Sequence, residues 1–168
     1  RCILAGTSGD DFRDVTERLT YIERTGLVTL TREDISGGMI PISTKTPHFD
    51  ANILTLDDDT KILVVNCYFP SNGGKKDNTK KFEDAAMELK RIKCIAEKRL
   101  NQSKLQTVST GDFNYCILNH RSDKRRTAIM KDMVRELEST YHVPDLPTHK
   151  SRSWELSESH LDGLLIED

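Results

Sequence analysis

No run of apolar residues in this 168-residue chain approaches the length that crosses a bilayer; the best, Ile62-Leu63-Val64-Val65, has the length of a strand. Charge of either sign is not in surplus. The 25 Lys and Arg against 27 Asp and Glu leave a formal charge of −2, so no global positive field advertises a polyanion partner and any such contact must be local. The four cysteines, Cys2, Cys67, Cys94 and Cys116, make no C-x-x-C pair and no zinc-finger spacing with a histidine, which argues against a zinc site and for reduced thiols. The first residues carry no charged segment followed by an apolar one. The expectation is therefore an intracellular protein, nuclear or cytoplasmic, with no membrane partner. The Asn101-Gln102-Ser103 glycosylation triplet has no meaning in that setting.

What is present is a polar globular composition, 36% hydrophobic and 31% charged, in a length that buries one core and makes one domain. Phe12, Val15, Leu19 and Ile22 recur at helical spacing between a capping Asp10 or Asp11 and Gly26. Residues 27–30, 39–42, 52–56 and 61–69 read as strands. Asp57-Asp58-Asp59 connects the last two as a hairpin; it lacks the alternating ligands, the Gly and the distant Glu of a calcium loop. Phe82, Ala85, Ala86, Leu89, Ile92, Lys93 and Ala96 then mark one face of the clearest helix, which returns the chain to a strand at 105–109. Strand, helix, strand in that order predicts a crossover connection. A further helix is expected near 126–138, with Ile129, Met133 and Leu137 on its stripe, and a buried strand at 161–166.

Chemistry concentrates at Thr110-Gly111-Asp112-Phe113-Asn114, where a carboxylate and a carboxamide stand two residues apart at the end of an apolar strand. Two such groups can share one phosphate or one water, and sites in α/β proteins gather at strand ends. The same residues also make ordinary turns. Asn66-Cys67-Tyr68-Phe69-Pro70 puts a phenol at the end of the strongest strand, where it either packs or presents a hydroxyl. Ser159-His160-Leu161-Asp162 brings a carboxylate into the last strand; His160 there is more naturally a solvent-facing residue than a base.

In this order the motifs resemble the endonuclease/exonuclease/phosphatase superfamily, closest to non-LTR retrotransposon and abasic-site endonucleases. Ser36-Gly37-Gly38-Met39-Ile40-Pro41-Ile42 is similar to the Gly-Gly-apolar strand and Tyr68-Phe69-Pro70 to the Tyr-x-Pro element. Gly111-Asp112-Phe113-Asn114 matches the most specific signature. Ser159-His160-Leu161-Asp162-Gly163 is similar to the late Ser-x-Ile-Asp-Tyr element, with Gly163 in the place of the aromatic. The resemblance implies an α+β fold, the α/β four-layer sandwich, in which two mostly antiparallel sheets pack face to face with helices outside. It also implies a phosphodiester hydrolase using one or two Mg2+ or Mn2+ ions. Asp112 would orient or deprotonate the attacking water and contribute to the metal, and Asn114 would hold that water or a phosphate oxygen. Tyr68 would donate to the developing charge, and Asp162 would orient a histidine from further along the chain.

The departures are equally specific. The metal-binding Glu expected ahead of the Gly-Gly strand is not recognisable, since Glu23 and Glu33 lack its context, and no Ser-Asp-His follows the last strand. The expectation is a single domain over residues 1–168, truncated at both ends. Asn72, Lys75, Lys76, Arg125 and Trp154 are the candidate substrate contacts, with DNA preferred to RNA and a monomeric chain; Lys80-Lys81 and the rest of Lys124-Arg125-Arg126 add basic surface. Trp154 stacks on a base or fills the core. Three functions stay open: an endonuclease, a catalytically inactive remnant that binds nucleic acid, and an inositol-phosphate type of phosphatase.

Overall fold

The computed structural model describes residues 39–46, 48–56, 58–71, 78–115, 124–143, 149–150, 158–159 and 162–167. The expected first helix and the strand at 27–30 lie outside those residues. So do Ser36, Gly37, Gly38, Asn72, Lys75, Lys76, Trp154 and His160.

Alternation along the chain builds one six-stranded sheet. Strands β1 (Met39–Ile42), β2 (Phe49–Thr55) and β3 (Lys61–Tyr68) are consecutive and antiparallel. The β2–β3 hairpin closes as its sequence predicts: Leu56 N–H donates to Thr60 O at 2.8 Å, and Asp59 takes the left-handed conformation at φ 64°. Asp58 serves the turn, its carboxylate accepting from Thr60 N–H at 2.9 Å, and the hydrogen bonds from Thr60 lower its pKa.

Past β3 the chain crosses over through α1 (Thr79–Leu100) into β4 (Thr107–Asp112), which lies parallel to β3. The order across the sheet is β1-β2-β3-β4-β8-β5, with β5 (Ser139–His142) and β8 (Asp162–Glu167) antiparallel at the far side. A separate two-stranded ribbon joins β6 (His149–Lys150) to β7 (Glu158–Ser159). The described residues thus make a mixed sheet with two helices, an α+β fold.

One sheet face carries the core. Leu63, Val65 and Cys67 of β3 are fully buried beneath the predicted stripe of α1, Phe82, Ala85, Ala86, Leu89, Ile92 and Ala96. Lys93 sits beside that stripe and sets its ammonium 2.9 Å from the buried carboxylate of Glu167 in β8. Asn101 ends α1 in the left-handed conformation, and Gln102 N–H reaches back to Glu97 O at 3.0 Å. Helix α2 (Lys124–Glu136) packs against α1, and its inward residues are Arg126, Met130 and Met133, followed by buried Leu137. Ile129, assigned to the stripe from sequence, is only half-buried at its edge.

The edge strand β1 and the residues just after it are tied to α1 by side chains reaching backbone. Arg99 Nη1 donates to Pro41 O at 2.8 Å, Arg91 Nη2 to Ser43 O at 3.0 Å, and Lys45 N–H to Glu88 Oε1 at 2.6 Å. Burial opposes ionisation of Glu88, but two hydrogen bonds from Arg91 and the one from Lys45 outweigh it and hold its carboxyl below the usual glutamate value.

Candidate active-site rim

Register brings the separate motifs into one row. Tyr68, the last residue of β3, is the parallel partner of Asp112, the last residue of β4; Asp112 is in turn the antiparallel partner of Asp162, the first residue of β8. With adjacent strands about 4.8 Å apart, the three backbones lie side by side along about 10 Å of one sheet edge. A fourth position extends the row, because Tyr68 N–H donates to His48 O at 2.8 Å.

The close approach starts at Gly111, whose φ of 137° suits glycine alone. A Cβ there would drive into the Cys67 carbonyl oxygen and stand 3.0 Å from Cys67 C and N. The alternation then continues into the loop: Phe113 and Tyr115 turn into the core while Asp112 and Asn114 stay half-buried. Asp112 and Asn114 form a side-chain turn, Asn114 N–H donating to Asp112 Oδ1 at 2.8 Å with Asn114 left-handed at φ 46°. The turn and the candidate site are therefore one structure.

Asn114 also reaches across the rim. Its Nδ2 donates to Phe69 O at 2.7 Å while Phe69 N–H donates to Asp112 O at 2.7 Å, so the chain beyond β3 is bound to the chain beyond β4 from both sides. At least one of the two amide hydrogens of Asn114 is spent on the fold. Tyr68 is 40% exposed, one of two large hydrophobic side chains so placed among the described residues, and its ring lies 5.7 Å from that of His48. Directly below, the Cys67 thiol donates to Thr110 O at 3.2 Å; burial, with a smaller contribution from the Asp112 carboxylate, pushes its pKa well above the ordinary thiol value. It is a neutral structural residue.

An aromatic cluster supports the rim from the core side, Phe69 against Phe113 at 5.2 Å and Phe113 against Tyr141 at 5.3 Å. Tyr141 leaves no room for a side chain at Gly163. A Cβ at Gly163 would stand 2.5 Å from Tyr141 Cε2 and Cζ and closer still to the hydroxyl. That space is filled by a ring from the neighbouring strand β5.

The basic triplet of α2 divides. Lys124 and Arg125 are exposed, as a phosphate contact requires, whereas Arg126 is 3% exposed and belongs to the interior. Lys80 pairs with Asp84 at 2.9 Å and is ordinary helix surface. Of the other expected site residues, Asp162 is placed by its backbone; Asn72, Lys75, Lys76 and Trp154 lie outside the described residues. Sequence reasoning passed over His48 and counted Arg126 as basic surface, whereas it is buried. Counting the hairpin register back from residues 57–59 sets position 48 opposite 68, and Arg126 lies on one helical stripe with Met130, Met133 and Leu137.

Oxygen donors of the Asp112 type suit a hard divalent cation, to which a protein commonly gives only one or two carboxylates. Among the described residues no group of three His, Cys, Asp or Glu gathers to hold one, so they do not by themselves make a metal site. No helix of the described residues is long and apolar enough to cross a membrane.

No family model matches the chain, and no curated protein matches it in sequence. Solved structures do. A beta toxin structure from Staphylococcus aureus aligns at 14% identity and a TM-score of 0.50, over 71% of this chain and 42% of the toxin chain. A beta toxin mutant with bound magnesium ions gives the same identity, coverage and TM-score. An endonuclease/exonuclease/phosphatase family protein from Bacteroides thetaiotaomicron aligns at 14% identity and a TM-score of 0.48, over 81% of this chain and 52% of its own. The chain spans about two fifths of the length of the beta toxin chains, 42%. At these identities the likeness is one of fold.

Proposed function

We propose, from the motif resemblance of the sequence together with the fold it shares with the beta toxin structures, that this chain is part of a divalent-metal-dependent phosphodiester hydrolase, with DNA as its leading substrate. In the complete fold a second sheet would face the one described here, as in a four-layer sandwich.

The observation that carries the proposal is the in-register row Tyr68, Asp112, Asp162. Hydrolysis of a phosphodiester needs a water aligned with the leaving group, an acceptor for its proton, and donors facing the oxygens on which charge builds. Asp112 supplies the acceptor from a rigid turn, and Asn114 and Phe69 fix that turn against β3. Tyr68, a partly exposed side chain one strand away, supplies a hydroxyl. Lewis-acid charge against the phosphate would come from the cation, whose remaining donors would lie outside the described residues. Exposed Lys124 and Arg125 offer salt-dependent contacts to a phosphate backbone.

The test is nicking of supercoiled plasmid with magnesium, wild type against Asp112→Asn. Loss of the acceptor should lower the rate by about 10²–10⁴-fold. Equal nicking by the two, or none by either, would refute the assignment. An inactive wild type that still shifts DNA in a gel would instead identify a binding module, and turnover of inositol phosphates but not DNA would identify a phosphatase.

A further inference from the structure

Past Tyr68, where β3 ends, the next three carbonyls of the chain are all engaged by side chains. Phe69 O accepts from Asn114, Pro70 O accepts from Arg126 Nη1 at 2.9 Å, and Ser71 O accepts from Asn78 Nδ2 at 3.0 Å and from Arg126 Nη2 at 3.4 Å. Arg126 thus grips two successive carbonyls just past Tyr68, with its guanidinium carbon 4.6 Å over the ring of buried Phe82.

The placement runs against two general costs. Arg126 stands in the first turn of α2, a turn with no acid, where the positive end of the helix dipole disfavours a cation. It is also 3% exposed, and arginine is rarely buried so completely. A methionine or leucine would fill an interior helix position more simply. What a guanidinium adds is a planar fork of donors that fixes direction as well as distance.

We propose that Arg126 is a positioning residue for the rim: by holding Pro70 and Ser71 it keeps the Tyr68 hydroxyl aligned with Asp112. The mechanism is mechanical. The proline ring fixes φ at position 70, so a shift of the Pro70 carbonyl passes back through Phe69 to Tyr68. A displacement of about 1 Å at reacting groups costs on the order of 10²-fold in rate. This role rests on the hydrolase assignment made above.

Two variants separate positioning from general support. Arg126→Met keeps an unbranched stem over Phe82 and removes the donors; Arg126→Lys keeps charge but reaches one carbonyl at a time. Hydrolysis of plasmid and of bis(p-nitrophenyl) phosphate with magnesium is measured beside amide hydrogen exchange. For Arg126→Met the expected result is a fall in kcat of at least about tenfold with KM within about twofold, partly recovered in Arg126→Lys. The Phe69 amide should lose protection while Leu89 and Ile92 of α1 keep theirs. An active wild type with Arg126→Met within about twofold of its kcat overturns the positioning role, as does equal loss of protection at Phe69 and Ile92. A wild type that hydrolyses neither substrate overturns the hydrolase assignment and the positioning role with it. Selective loss at Phe69 would then leave Arg126 a purely structural anchor.

Discussion

Replacing Gly111 with alanine tests the backbone geometry on which the rim depends. At φ 137° an L-residue pays about 1–3 kcal/mol of conformational strain before any contact is considered. The new methyl also meets the Cys67 carbonyl oxygen, with Cys67 C and N at 3.0 Å, and these are backbone atoms of a central strand that no side-chain rotation can move aside. Relief requires β3 and β4 to separate at their C-terminal ends. That puts at risk the Phe69 N–H to Asp112 O bond and its neighbours in the ladder, each worth about 1 kcal/mol net. The combined loss is about 3–5 kcal/mol, a large share of the roughly 5–15 kcal/mol that holds a domain folded. With a urea slope of about 1–3 kcal/mol/M, the unfolding midpoint should fall by about 2 M. Equilibrium urea unfolding followed by far-UV circular dichroism measures it. A Gly111→Ala variant within about 1 kcal/mol of wild type at the same slope would show that the two strands do not approach as closely as described.

Gly163→Ala should destabilise by about 1–3 kcal/mol through overpacking against Tyr141, and Tyr141→Leu in the same chain should recover part of it; additive losses in a double-mutant cycle would refute the shared volume. Tyr68→Phe should lower kcat by about 10²–10³-fold with little change in urea midpoint, because the ring is exposed and only the donor is removed; unchanged turnover would remove Tyr68 from the chemistry. Glu88 has a lowered folded pKa, so its stabilisation is complete above its unfolded value of about 4.3 and is lost as pH falls through the folded value. Wild type should therefore lose more stability between about pH 5 and pH 2.5 than Glu88→Gln does, and parallel curves would refute the hydrogen-bonded carboxylate.

The parts of the fold that could be read in advance are those where one periodicity dominates. The stripe of α1 repeats its apolar residues from Phe82 to Ala96, through about four turns, and the crossover between β3 and β4 follows from element order. The neighbouring strand-end positions of Tyr68 and Asp112 were legible because an apolar run leads into each. Strand β5 was not, since Ser139-Thr140-Tyr141-His142 has no apolar run and is a strand only because the backbone of β8 offers it partners. Strand β4 runs on through Gly111 and Asp112, past the expected end at 109, for the same reason: ladder partners on both sides outweigh the turn preference of Gly and Asp. Arg126 looked identical to Lys124 and Arg125 because composition is blind to helical phase.

The parallel pairing of β3 with β4 has a consequence for the order in which the protein assembles. Tyr68 and Asp112 lie on opposite sides of a 22-residue helix, so no local hairpin can bring them together early. Their meeting must wait for α1 to form and dock, a step that closes a long loop before any compensating contact is made. Conditions that stall folding at the β1–β2–β3 meander should therefore yield a species with a formed hairpin and no β3–β4 pairing, and protection of the Phe69 amide should emerge only with the slowest phase of refolding.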